Sequence, residues 1–194
     1  MTSSDGFRRL GETSRHQGYV WHVAVAEFES PTGERFERDI VRSPGAVAVV
    51  PLLFDAEGNP SVVLVTQYRP PYEVDVIEIP AGMRDIEGED TETVARRELT
   101  EEAGLVAERV DLLGEILPSP GLTDSVTTIY VATGCTSAPT DRQGPEEEHM
   151  EVMHVPLSDA LAMVDRGEIS DAKTVVGLLS TDRRLRAGDL APPG

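Results

Sequence analysis

Residues 81–105, AGMRDIEGEDTETVARRELTEEAGL, decide how the rest of this chain reads. Within them, RELTEEAGL gathers Glu98, Glu101 and Glu102 beside Arg97. A helix over Thr91–Ala103 makes residues three and four apart neighbours, so Glu98 faces both Glu101 and Glu102. At about 100° per residue the three carboxylates share an arc of roughly 100°, with Ala95, Leu99 and Ala103 on the adjoining one. Glu102 falls at the edge of that apolar stripe. Like charges at this spacing oppose each other by roughly 0.3 kcal/mol per pair, and burial adds a larger cost. A divalent cation removes both costs, and carboxylate oxygens suit magnesium or manganese. A solvated acidic face is the commoner fate of a bare glutamate cluster, so the flanking residues carry the decision. Asp90 or Thr91 is placed to cap the helix start, and Gly104 supplies the residue that ends it. Ahead of the helix, Ala81-Gly82 opens a loop rich in Asp, Glu and Gly.

The 194 residues suffice for one domain with a sizeable core and some peripheral elements. A net charge of −18 argues against a general nucleic-acid or anionic-membrane surface. It leaves a phosphate substrate open, because bound metal ions invert the local field. Cys135 is the one cysteine and cannot form an internal disulfide, which fits a reducing compartment. It reads as a small, partly buried residue after a strand rather than a catalytic thiol. The first fifteen residues are polar, and no apolar run approaches a membrane span. A cytoplasmic protein is the expectation.

Outward from the central stretch, the chain reads as strands on both sides of one helix. Residues up to about 17 are polar and expected to be loose. Tyr19–Phe28 (YVWHVAVAEF) is rich in β-formers, Ser30-Pro31-Thr32-Gly33 is a turn, and Arg35–Val41 returns, so the opening reads as a hairpin. Tyr19 and Trp21 read as strand packing groups more readily than as ligand-stacking aromatics. Ala46–Phe54 and Ser61–Tyr68 are buried-looking strands around a turn at Asp55–Asn59, and the second delivers Arg69 at its end. Glu73–Pro80 alternates polar and apolar residues and leads into the central stretch. Val110–Leu117, Ser125–Gly134 and Val152–Pro156 are further strands, and Ala138–Met150 is a long polar loop. Helices follow at Ser158–Arg166, started by Ser158 or Asp159 and stopped by Gly167, and at about Asp171–Leu185. This order predicts a mixed sheet between helices.

Loop, carboxylate-bearing helix and glycine stop together resemble the Nudix box, G-x5-E-x7-R-E-U-x-E-E-x-G-U, with U a bulky aliphatic residue. From Glu89 onward the match is complete: seven residues to Arg97, then Glu98, Leu99, Glu101, Glu102, Gly104 and Leu105. Between Gly82 and Glu89 stand six residues instead of five. That insertion sits in the loop, where extra length costs little. The resemblance covers nearly the whole chain and points to the ADP-ribose pyrophosphatases, on GAVAVV, QYRP, EIPAG, Pro120 in SPGLTD and the C-terminal RGEISDAKTVVGLL.

The resemblance implies a Nudix-type α/β/α sandwich with a mixed β-sheet at residues 46–194, preceded by an N-terminal β-hairpin segment over 1–45 of the length swapped across some dimers. It also implies hydrolysis of ADP-ribose to AMP and ribose 5-phosphate by two or more Mg2+ (or Mn2+) ions, in a homodimer. The implied metal ligands are Glu98, Glu102, the Ala81 carbonyl, Glu101 directly or through water, and Glu148. The implied catalytic base is Glu146, or Glu147 if the alignment shifts by one residue. Arg69 is the implied phosphate contact and Met83 lies against the substrate. Ser119, Gly121, Arg38 and Asp39 are implied contacts from the neighbouring subunit. Arg97 is expected to pair with Glu89 or a loop carboxylate, while His149 and His154 are bystanders. The other readings are a hydrolase of another nucleoside diphosphate sugar, which the box alone does not distinguish, and a non-catalytic sensor. A sensor is expected to lose box carboxylates or to carry a basic recognition helix, and this chain does neither.

Overall fold

The computed structural model describes residues 6–140 and 149–191. The chain forms two compact units, one from the residues up to Gly45 together with Leu117–Val126, the other from Ala46–Ile116 and Thr127 onward.

In the first unit β1 (Arg8–Gln17), β2 (His22–Glu29) and β3 (Arg35–Arg42) form an antiparallel sheet in that order. The β2–β3 turn closes where expected, with the Ser30 amide donating to the Glu34 carbonyl at 2.8 Å. β1 corrects the expectation of a loose start. Every one of its residues is exposed, so no apolar alternation marks it in the sequence. Its order comes from backbone pairing with β2, from Arg8↔Glu29 to Gln17↔His22, and from ion pairs of Arg8 with Glu29 and Glu12 with Arg42. The hairpin is therefore a three-stranded sheet. Tyr19 and Trp21 do not pack in a strand: they precede β2, in a turn where the Gly18 amide donates to the Trp21 carbonyl, and Tyr19 is fully exposed. Residues 117–126 join this unit through β3, the Val41 amide donating to the Leu122 carbonyl at 2.9 Å and Arg42 to Asp124 at 2.9 Å.

The second unit contains β4 (Ala46–Phe54), β5 (Pro60–Arg69), β6 (Val74–Glu78), β7 (Ala81–Met83), β8 (Leu105–Ile116), β9 (Thr127–Ser137) and β10 (Glu151–Pro156). Three helices accompany them: α1 (Thr91–Ala103), α2 (Leu157–Asp165) and α3 (Ala172–Ala187). The sheet order is β10-β5-β4-β9-β8, with β6 paired to β5 and β7 to β4. β4 and β9 run parallel and the other pairs antiparallel, so the sheet is mixed. Alternation along each central strand explains the near-continuous apolar runs. Val47, Val49, Val63, Tyr130 and Ala132 join Val94, Ala95 and Leu99 of α1 in one core. Ala48, Val50, Leu52, Val62, Leu64, Ile129 and Val131 face the other way, with Leu157 and Ala160 of α2 and Leu178 of α3. The result is the expected α/β/α sandwich.

Local departures have local causes. Ala81-Gly82 is not the start of a loop: Ala81–Met83 pairs with Ala48–Ala46, which places this segment against the sheet. β8 begins directly after the helix, at Leu105, because Gly104 is left-handed (φ 63) and turns the chain at once. α2 starts at Leu157 behind Pro156 with no side-chain cap, so neither Ser158 nor Asp159 serves that purpose. Among the described residues no helix is long and apolar enough to cross a membrane.

Candidate active site

The start of α1 is capped by Asp90, whose carboxylate accepts the Thr93 amide at 3.0 Å and the Thr93 hydroxyl at 2.7 Å. Capping fixes where the helix begins, and burial of Val94, Ala95 and Leu99 fixes how it is rotated. Glu98 and Glu102 are then carried inward as well, with only 5% and 2% of their surface exposed. Two carboxylates so buried require polar partners. The Ala81 amide donates to Glu102 Oε2 at 2.9 Å, which ties the helix to β7. The Glu98 carboxylate lies against Gly82: a Cβ on that glycine would stand 2.0 Å from Oε1 and 2.1 Å from Cδ. Gly82 is needed here for space.

Arg97 sits among the acidic groups. Its guanidinium lies 2.7 Å from Glu98 Oε1, 3.2 Å from Glu101 Oε2, 3.5 Å from Glu89 Oε2 and 3.9 Å from Asp85. Burial pulls its pKa down, but Glu98, Glu101 and Glu89 outweigh that and raise it, so it stays charged. One guanidinium faces these four carboxylates, a surplus of negative charge built from hard oxygen donors. That chemistry fits magnesium or manganese. Among the described residues no three side chains already converge as a ligand set, since Arg97 lies between Glu98 and Glu101.

Arg69, at the end of β5, forks onto Glu78 of β6, with Nε to Oε1 and NH2 to Oε2 both at 2.6 Å. Met83 is half-buried on β7, one residue past Gly82. Arg38, Asp39 and Gly121 come together in the first unit. They line a cavity of about 510 Å³ with Phe7, Phe28 and Phe36. Arg38 lies 4.7 Å over the Phe36 ring, and Phe36 stacks on Phe28. Ser119 closes the adjoining turn, its carbonyl accepting the Leu122 and Thr123 amides. Glu146, Glu147 and Glu148 lie outside the described residues. Cys135 is partly buried, with its thiol pushed up to about 11 by burial, which does not suit a nucleophile at neutral pH.

Sequence reasoning passed over Glu78 and Lys173, and with them the phenylalanine-lined cavity. Glu78 stood in the alternating EVDVIEIP and in EIPAG, and Lys173 in RGEISDAKTVVGLL, as parts of matching stretches with no role of their own.

The description "NUDIX domain" matches residues 43–176. This chain belongs to the Nudix family. The carboxylate-bearing α1 and the β7 segment before it are its Nudix box. An ADP-ribose pyrophosphatase of Bacillus subtilis (strain 168) is 38% identical over 161 residues, 83% of this chain and 84% of the relative. A methanol dehydrogenase activator of Bacillus methanolicus is 36% identical over 161 residues, again 83% and 84% of the two chains. A crystal structure of an ADP compounds hydrolase superposes with a TM-score of 0.80, covering 97% of this chain and 98% of its own at 21% identity, and so shares the fold. The protein is a Nudix hydrolase related to ADP-ribose pyrophosphatases.

Proposed function

We propose that this Nudix hydrolase cleaves the pyrophosphate bond of ADP-ribose, giving AMP and ribose 5-phosphate. The observation that carries the reading is the buried pair Glu98 and Glu102, held against Gly82 and the Ala81 amide. The likeness to the Bacillus subtilis ADP-ribose pyrophosphatase supports the choice of substrate.

Hydrolysis adds a water oxygen to one phosphorus while the bridging P–O bond breaks. The water's proton goes to a base, and the two phosphates part with their nucleoside and sugar. Glu98, Glu102 and the Ala81 carbonyl would hold two or more divalent ions, with Glu101 completing the set directly or through water and Glu148 adding a further ligand. When bound, such ions neutralise the diphosphate and lower the pKa of a coordinated water. Arg69, already oriented by Glu78, turns its NH1 edge to a phosphate oxygen. Glu146, or Glu147 in its place, takes the water's proton, because a carboxylate committed to metal is a poor acceptor. Met83 lies along the substrate. Arg38, Asp39, Ser119 and Gly121 meet it from a second copy of the chain, in a cytoplasmic homodimer that swaps the segment 1–45 while 46–194 carries out the chemistry.

The test is a panel of ADP-ribose, UDP-glucose and GDP-mannose with magnesium and with manganese. ADP-ribose should have the highest kcat/KM. A higher value for a sugar nucleotide with another base would reassign the substrate.

A further inference from the structure

The Arg69–Glu78 fork does not stand alone. Glu78 is 3% exposed, and a carboxylate that buried is costly unless every lone pair is used. Its Oε2 accepts from Arg69 NH2 and also from Lys173 Nζ, on the first turn of α3. Lys173 in turn lies 3.0 Å from Asp171 Oδ2. Asp171 is the N-cap of α3, accepting the Thr174 amide at 3.0 Å and the Thr174 hydroxyl at 2.6 Å. The Thr174 hydroxyl oxygen accepts the Ile79 amide at 2.9 Å, and Thr174 is fully buried. Glu78 by its side chain and Ile79 by its backbone are therefore both fastened to one helix start. Three residues after Glu78, the Ala81 amide holds Glu102. One short segment, Glu78 to Ala81, thus anchors both Arg69 and a box carboxylate.

The exposures differ in a telling way. The Glu78 side chain is 4% exposed and that of Arg69 36%, so the anchor is inside and Arg69 is the more accessible partner. Arg69 spends Nε and NH2 on Glu78, and among the described residues NH1 has no bond. From this arrangement we infer that Glu78, braced by Lys173 and Asp171, is a positioning residue. It sets the plane and direction in which Arg69 presents NH1 to an anionic phosphate oxygen. The inference rests on the reading that Arg69 meets the diphosphate.

Charge alone makes the opposite forecast. Arg69, Lys173, Glu78 and Asp171 sum to zero, so Glu78→Gln leaves one net positive charge, which would tighten binding of an anion. Loss of positioning weakens it, because a cation displaced by about 1 Å forfeits on the order of 100-fold in rate. A merely structural ion pair would lower Tm and leave KM unmoved.

The experiment is a double-mutant cycle on the full chain, using whichever nucleoside diphosphate sugar the wild type cleaves fastest, with Kd for ADP plus magnesium measured by calorimetry. Glu78→Gln and Arg69→Lys should each raise KM and Kd and lower kcat/KM on the order of 100-fold. The double variant should lose no more than the worse single one, because lysine has no fork to orient. Lys173→Met, which keeps the fork, should cause a smaller loss that disappears in the Arg69→Lys background, and covers the case in which Glu78→Gln does not fold. Wild-type or tighter Kd in Glu78→Gln, or losses that multiply in the double variants, would overturn the positioning role. Preference of the wild type for a substrate other than ADP-ribose would instead overturn the proposed function and leave this cycle readable.

Discussion

Replacing Gly82 by alanine tests the construction of the box most directly. Gly82 is not among the residues with positive φ, so its backbone alone would accept alanine. What stands in the way is the Glu98 carboxylate. The new Cβ would lie 2.0 Å from Oε1, 2.1 Å from Cδ and 2.5 Å from Oε2. Reaching the 3.4 Å of ordinary contact requires Oε1 to retreat by about 1.4 Å. Glu98 is 5% exposed and paired with Arg97 at 2.7 Å, so it has little room to swing without breaking that pair. Overpacking of this kind costs about 1–3 kcal/mol of stability. A displacement beyond 1 Å at a proposed metal ligand costs on the order of 100-fold in kcat.

The assay is steady-state hydrolysis of ADP-ribose at saturating magnesium, beside thermal unfolding followed by circular dichroism. Gly82→Ala should remain folded, with Tm lowered and kcat reduced by about 100-fold or more. Glu98→Gln should abolish nearly all turnover, and adding Gly82→Ala to it should cost little further activity, because both changes act on one carboxylate. If Gly82→Ala kept kcat within threefold of wild type, the close approach of Gly82 to Glu98 would have no bearing on catalysis and the reasoning would fail.

Two further predictions concern the glutamates at 146–148 and Cys135. Glu146→Gln should lower kcat by about 100-fold or more with KM nearly unchanged, as expected of a group acting in the transition state. Glu148→Gln should instead raise the magnesium concentration needed for half-maximal rate, and equal kcat losses for Glu146, Glu147 and Glu148 would refute the division of roles. For Cys135, burial raises the thiol from 9.0 to about 11. The neutral form is favoured in the fold, so the associated stability is whole below pH 9 and is lost as pH rises towards 11. At pH 8 iodoacetamide should alkylate the native thiol roughly 100-fold more slowly than the urea-unfolded one, the ratio of thiolate fractions. Equal rates would refute the burial effect.

By itself the sequence determined the elements whose cause is local. The helix Thr91–Ala103 is bounded by an aspartate cap and a left-handed glycine, both adjacent to it in the chain, and its bounds agree with the expectation at both ends. The central strands are apolar on both faces because helices cover both, and that doubled burial is written residue by residue. Glu98 and Glu102 were legible as neighbours because a helical period brings them together. Only the tertiary structure decided the rest. β1 has no buried side chain, so it leaves no periodic trace and exists through its pairing with β2. Leu117–Val126 joins the first unit across a long chain separation, which no local pattern encodes. Gly82 looks like a flexible loop residue until the Glu98 carboxylate is seen against it. Glu78 and Lys173 are 95 residues apart, and each alone reads as a surface charge. Their partnership arises because β6 and the start of α3 meet inside the fold, where a buried carboxylate is stable only with cations around it.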